Sequence, residues 1–376
     1  MCVDIAVTAP RQISTCPKPG GANRSIPENV SMAEDDRPGS PAPRRPTLAQ
    51  VAAAAGVSLK TASRVLAGEP HVREETRRRV LAHAQQLGYQ RNSAASLLAA
   101  GRSVDYIGVI TGDLTNPFYA GLAQGIEDGA RDHGLHVSIA SSAESPEAEW
   151  SLAQGLASQR CQAIIVVSAM EDHACYQSIR QGGTPVVFVD RRARGLDADS
   201  VVLDNVTGGR LAAEHLLGAG HRRIAYVGDF EWLPTQRDRI RGFGAAMERS
   251  GVEQWRSLVC SDAHDATSAR KVAAELLDGP HPPTALVAGN NRSALGLLQE
   301  LSSRHPRCGG PALVGFDDVE WAEVVGLTVI AHDPVEMGRR AARLAIDRLG
   351  AREREAETVV LPVSLVVRGS GERPAG

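Results

Sequence analysis

The chain has 376 residues, too many for one ordinary domain, and length alone points to roughly two or three. Its 43% hydrophobic content is that of a globular protein, and the absence of any run of about 18 apolar residues excludes a helical membrane span. A formal net charge of −3 excludes a protein that coats nucleic acid along its whole length. The six cysteines (Cys2, Cys16, Cys161, Cys175, Cys260 and Cys308) lack CxxC or metal-like spacing and read as reduced packing thiols, with no metal or other cofactor implied.

Residues 1–43 are rich in Pro, Ser, Ala and Gly without periodicity and are expected to form a disordered leader with no assigned chemistry. Its start, "MCVDIAVTAP", is not the basic-then-apolar pattern of a secretory signal, so a cytoplasmic location is expected. Organised sequence begins at Thr47. Thr47 and Gln50 form a Thr-x-x-Gln capping box, and Leu48, Val51, Ala52 and Ala55 make one apolar helical stripe. Gly56 stops that helix and Ser58 N-caps a second, whose Ala62, Val65 and Leu66 face back to the first. Leu59, Lys60, Ser63 and Arg64 then form its outer face. The pattern is that of a helix-turn-helix; its other reading is a helical hairpin with a solvated face.

A third helix is expected over about Arg73–Leu87, with Val80, Leu81, Ala84 and Leu87 inward and Gly88 ending it. Between Arg44 and Arg102 stand ten bases (Arg44, Arg45, Lys60, Arg64, Arg73, Arg77, Arg78, Arg79, Arg91 and Arg102) against three acids (Glu69, Glu74 and Glu75). That balance of about +7 on a small segment, with an acidic remainder, is the footprint of a localised polyanion-binding module.

From Asp105 the pattern changes. Short apolar runs ("YIGVI", "HVSIA", "AIIVVS", "PVVFVD", "RIAYVGD", "SLVCS", "TALVAGN", "ALVGFD") alternate with helical stretches such as Tyr119–Gly134, Glu147–Gln159, Gly208–Gly218 and Ala266–Leu277. This alternation predicts α/β structure with parallel sheets covered on both faces, and the strands are too many for one sheet. Ligands of such folds sit beyond the carboxyl ends of the strands, which nominates Asp113, Asp190, Asp229, Asn290 and Asp317 as cleft residues.

The run from Thr47 to Ser103, "TLAQVAAAAGVSLKTASRVLAGEPHVREETRRRVLAHAQQLGYQRNSAASLLAAGRS", resembles the headpiece and hinge of the lactose-repressor (LacI/GalR-type) family of bacterial transcription factors. Blocks such as "NPFYAGLAQGIEDGARDHG", "RDRIRGF", "ALVGFDD" and "LPVSLVVRGS" extend the resemblance to Ser370. It departs from the family at Ala62, Ala67 and Arg91, the last loosening the entry to the hinge. That family starts close to its helix-turn-helix, which leaves open whether the leader is translated.

The resemblance implies a headpiece over 44–91, a hinge helix over 92–103, and a periplasmic-binding-protein-like core of two doubly wound subdomains. The first would hold 104–203 and 333–350, the second 204–332 and 351–370, with crossings near Val201–Asn205, Ala331–Asp333 and Gly350–Thr358. It implies DNA contacts from Thr47, Ser58, Leu59, Lys60, Thr61, Ser63 and Arg64, and from Asn92, Ala95 and Leu98 of the hinge, where Leu98 would wedge between base pairs. On composition alone the hinge segment is a plain linker helix. The effector positions it implies are Phe118, Tyr119, Asp190, Arg239 (in "R-x-x-G-F"), Asn290 and Asp317, with turn and cap roles as the alternative for Asp190 and Asp317 and a core role as the alternative for Phe118. The family's aromatic before the helix at Ala266 is missing from "SDAHDAT", so the stacking face falls to His264, Trp232 or Trp321, and Asn291 replaces a commoner Asp.

The expected function is a sequence-specific transcriptional regulator, a repressor controlled by a sugar- or nucleobase-like effector. Its partners would be double-stranded operator DNA in the nucleoid and a second copy of the chain, with a tetramer open and no membrane. The alternative is a periplasmic-type solute-binding protein, which shares the core but predicts a signal peptide and no basic headpiece. An enzyme is not expected: no GxGxxG or GxxxxGK[ST] follows a strand, and no G-x-S-x-G elbow is present.

Overall fold

A computed structural model describes residues 46–89, 104–305 and 309–375. The leader and the hinge, with Asn92, Ala95 and Leu98, lie outside the described residues. The chain forms two compact units, a helical headpiece and a core from Asp105 onward.

The headpiece has three helices, α1 (Leu48–Ala54), α2 (Leu59–Leu66) and α3 (Glu74–Gln86). Thr47 and Gln50 complete the capping box on α1, and Ser58 Oγ accepts the Thr61 amide at 3.1 Å at the start of α2. Each helix ends on a left-handed glycine, Gly56, Gly68 and Gly88. At each end paired amide bonds satisfy two of the last carbonyls, as in Val57 N to Ala52 O and Gly56 N to Ala53 O. The shared core is Val51, Ala52, Ala55, Ala62, Val65, Val80 and Ala84. Four of these seven are alanine, so little apolar area is buried and the capping bonds carry more of the stability. Two expected core residues are corrected: Leu81 is 46% and Leu87 40% exposed. Leu81 lies about 100° around the helix from Val80, and Leu87 is the C-cap, beyond which Tyr89 packs instead.

The core contains two sheets. The first combines β1 (Val104–Thr111), β2 (His136–Ser141), β3 (Cys161–Val166), β4 (Val186–Val189), β5 (Ser200–Leu203) and β11 (Thr358–Leu361), in the order β11-β5-β4-β3-β1-β2. The second combines β6 (Ile224–Val227), β7 (Val259–Cys260), β8 (Ala285–Ala288), β9 (Ala312–Phe316), β10 (Thr328–Ala331) and β12 (Ser364–Val366), in the order β12-β10-β9-β8-β6-β7. The two orders are the same doubly wound pattern with one added edge strand each. That edge strand is parallel in the first sheet (β11 on β5) and antiparallel in the second (β12 on β10).

Alternation within strands sends residues to opposite faces. Ala163 and Ile165 of β3 join one cluster with α4 (Pro117–Arg131) and α12 (Pro334–Gly350), while Ile164 and Val166 join another with α5 (Pro146–Ser158) and α6 (Tyr176–Gln181). The second sheet repeats this. Tyr226 and Val287 face α7 (Asn205–Gly218) and α8 (Pro234–Arg249), while Val227 and Leu286 face α9 (Ala266–Asp278) and α10 (Asn291–Arg304). A short α11 (Glu320–Val324) precedes β10. Covered on both sides, β4, β6 and β8 are buried at every position, which is why they read as continuous apolar runs. The run "SLVCS" shrinks to the two-residue β7 because a 3₁₀ turn over Glu253–Leu258 takes its start.

The chain passes between sheets after Leu203, after Ala331 and between Leu361 and Ser364. The third passage is later than the expected Gly350–Thr358, because β11 pairs Val359–Leu361 with Val201–Leu203 and so stays in the first sheet. Residues 358–361 therefore belong to the first subdomain, not the second.

Candidate functional site

In the headpiece, Leu59, Lys60 and Ser63 are exposed and Arg64 half-exposed on the outer face of α2, while Thr47, Ser58 and Thr61 hold cap bonds at helix starts. Arg64 is oriented by its neighbours: Nε donates to Glu69 Oε2 at 2.9 Å, and Arg77 Nη2 donates to Glu69 O at 2.9 Å. A helix face carrying Lys60 in its first turn and Arg64 in its last suits base edges in a major groove.

In the core, all seven expected effector positions gather where the carboxyl ends of the two sheets face each other. Asp190 follows β4 and Asp317 follows β9, strands in the same place in each sheet. Both adopt left-handed φ, 68° and 70°. Both amides donate to the next strand, Asp190 N to Val201 O at 2.8 Å and Asp317 N to Ile330 O at 3.1 Å. Asp317 receives His332 Nε2 at 2.9 Å and Asn291 Nδ2 at 2.7 Å. Burial opposes its ionisation, but these bonds and the charge of Arg239 outweigh it and hold the carboxyl well below the usual range. Asp190 is shifted the other way: burial raises its pKa despite Arg191 and Arg239 nearby.

Arg239 is buried with its guanidinium 4.2 Å from the centre of the Phe316 ring. Its Nε donates to Asn205 Oδ1 at 2.8 Å and Nη1 to Gly289 O at 2.5 Å, so part of the expected fork serves the fold. Its helix α8 meets α7 backbone to backbone: a side-chain carbon on Gly242 would overlap the Val206 carbonyl, and one on Gly209 the Arg239 carbonyl.

Asn290 caps α10 through Oδ1 and donates Nδ2 to Asp229 at 2.9 Å. His264 Nδ1 meets the other oxygen of Asp229 at 2.7 Å. That bond raises the imidazole pKa against its partial burial and lowers that of Asp229. His264 also stacks on Phe230 at 4.5 Å, and Phe230 stacks on Trp232 at 6.0 Å. Trp321 is not in that stack; it lines a cavity of about 660 Å³ together with Asn116, Phe118, Asp317, His332 and Val335 among others. Phe118 stands edge-on to Tyr119 and His332, and the Tyr119 hydroxyl lies 3.4 Å from both Glu144 and Arg191. Asp113 holds the Thr115 amide and hydroxyl, each at 2.8 Å.

Contacts among the described residues bridge the cleft, including Asn291 Nδ2 to Asn116 Oδ1 at 2.9 Å, Arg292 Nη1 to Thr115 Oγ1 at 3.4 Å, and the Arg191 guanidinium 5.7 Å from the centre of the Trp232 ring. Sequence reasoning missed Glu144, Arg191, Phe230 and His332. Each lies just past a strand end, so the rule that nominated Asp190 and Asp317 covers them too.

Residues 47–92 match the model of bacterial regulatory proteins, lacI family, and residues 213–371 that of a periplasmic binding protein-like domain. The HTH-type transcriptional regulator DegA of Bacillus subtilis is 32% identical over 330 residues, covering 86% of this chain and 97% of DegA. The chain belongs to the lacI family. This lacI-family protein is thus a DNA-binding transcriptional regulator and not an enzyme, and its basic headpiece rules out a solute-binding protein alone. The HTH-type transcriptional regulator CelR of Thermobifida fusca is 32% identical over 87% of this chain and 99% of its own. A solved CelR–cellobiose complex superposes with a TM-score of 0.65 at 30% identity, covering 87% of this chain and 100% of that one. The lac repressor dimer bound to operator and an anti-inducer gives 0.72 at 26% identity, covering 88% and 100%. Among the described residues no helix is long and apolar enough to cross a membrane.

Proposed function

We propose that this regulator is a cytoplasmic repressor that binds a near-palindromic operator as a homodimer and releases it when a sugar-like effector enters the cleft. The observation that carries the reading is the cleft itself. Polar strand-end residues of both sheets converge there with aromatic rings, and the contacts that bridge it tie the subdomains together. Lys60 and Arg64, with Leu59 and Ser63, would read bases, and Thr47, Ser58 and Thr61 would lie near the backbone. Phe118, Tyr119, Asp190, Arg239, His264, Asn290 and Asp317 would hold the effector. The relatives support this: solved structures hold CelR with cellobiose and the lac repressor dimer with operator. An effector shifts operator affinity only if it binds one arrangement of the subdomains better than the other.

The test is fluorescence anisotropy on DNA from around the protein's own gene, at two salt concentrations, with and without a sugar panel. Selective binding that one sugar weakens is expected; a sugar that strengthens binding would make the same parts a corepressor system, and no selective binding would refute the reading. Arg64→Ala should relax base preference, costing about 1–3 kcal/mol of discrimination at one position. Arg79→Ala should weaken binding to all sequences alike. Unaltered preference in Arg64→Ala would mean that α2 docks otherwise.

A further inference from the structure

One arginine–carboxylate pair lies buried in the cleft. Arg191, 5% exposed, makes a two-pronged bond to Glu144, at 2.6 Å to Oε2 and 2.8 Å to Oε1. The placement of Glu144 is built into the backbone. Ala143 and Glu144 both take left-handed φ, 50° and 56°, a conformation that L-residues adopt at a cost. The turn is pinned by Ser142 N to Thr111 O at 2.8 Å and Ala143 N to Ser141 Oγ at 3.1 Å. Gly112 leaves the gap through which the side chain reaches, since a side-chain carbon there would overlap Glu144 Oε1.

The other cations at the cleft are engaged as well. Arg239 donates to Asn205 and Gly289, His264 to Asp229, His332 to Asp317, and Arg292 to Thr115. By contrast, the Asp190 carboxylate accepts no hydrogen bond from the described residues, and the nearest cation atom to it, Arg191 Nε, is 3.6 Å away. Among the described residues, Arg191 Nε, a donor, and His332 Nδ1, the ring nitrogen opposite the one that donates to Asp317, are buried without a hydrogen-bond partner. The unengaged groups are thus a carboxylate, one guanidinium N–H and one ring nitrogen, which suit hydroxyls, while the two buried guanidinium groups, Arg191 and Arg239, already donate to protein oxygens.

We infer that the cleft selects neutral, hydroxyl-rich effectors and rejects phosphorylated or carboxylated ones, with Glu144 as the residue that sets this by claiming Arg191. An anion entering would face Asp190 and would have to part a buried ion pair, leaving Glu144 without compensation. The inference rests on the effector reading above.

The test is isothermal titration of the purified full-length protein with glucose, ribose and cellobiose, and with glucose 6-phosphate, fructose 1-phosphate and gluconate. The wild type is expected to bind at least one neutral sugar and to prefer it over every anion by at least about tenfold. Glu144→Gln should narrow that preference by about tenfold or more, since it frees Arg191. The double variant Glu144→Gln with Arg191→Met, which removes both charges, should keep the neutral preference even if the single variant fails to fold. A wild type that binds a sugar phosphate or acid better than any neutral sugar overturns the charge filter alone. So does a folded Glu144→Gln with unchanged preference. No binding of any panel member would refute the effector reading, and this inference with it.

Discussion

His264 carries a pH-dependent contact in this cleft. Its pKa is raised by the bond to Asp229, so its contribution to stability is full below the ordinary imidazole value and is lost as pH rises through the raised one. Asp229 is lowered, so its share is present above the ordinary carboxylate range and lost as pH falls through the lowered value. The pair is therefore strongest in between. His264→Asn should reduce the melting temperature most at about pH 5–6 and converge with the wild type as the solution becomes alkaline, across about pH 5 to 9. A constant difference over that range would mean that packing on Phe230, not the charge, is what His264 contributes.

At the scale of elements, the site depends on how closely helices approach. Because α7 and α8 touch through Gly209 and Gly242, Arg239 reaches Asn205 on one side and Gly289 on the other. Gly242→Ala should force the helices apart, destabilising the core by about 1–3 kcal/mol in urea unfolding. Arg239 would lose Asn205 in the same step. A stability change near zero would show that the two helices slide freely. In the headpiece the capping bonds matter for the opposite reason, since its mostly alanine core buries little area. Ser58→Ala should cost about 0.5–2 kcal/mol there and leave core unfolding unchanged, as separate thermal transitions would report.

For the molecule as a whole, the cleft is where its two halves touch. Trp232 of the second subdomain stands against Arg191 of the first, so a change in the angle between subdomains alters its surroundings directly. Effector titration should therefore change tryptophan emission, and Trp232→Phe should remove most of that change while Trp150, Trp255 and Trp321 still report the fold. A full signal in Trp232→Phe would place the movement elsewhere. The doubled sheet order, and the matching strained Asp190 and Asp317, show the two halves using one device twice.

Local signals made the headpiece legible: capping residues, left-handed glycines and a 3.6-residue apolar stripe act over four residues or fewer, so Thr47, Gly56, Ser58 and Gly88 could be assigned from the chain itself. The same holds for the buried strands and the carboxylates that end them, because a parallel strand covered on both faces must be apolar throughout and must stop where the cleft begins. What tertiary structure alone decided is non-local. Glu144 meets Arg191 across 47 positions and Asn116 meets Asn291 across 175, distances over which no periodicity carries information. The third passage between sheets was hidden for the same reason, since β11 could pair with β5 or join β12 without any change in its own four residues. Leu81 shows the limit within a helix: its apolarity is local, but the direction from which the other two helices pack decides whether it is covered.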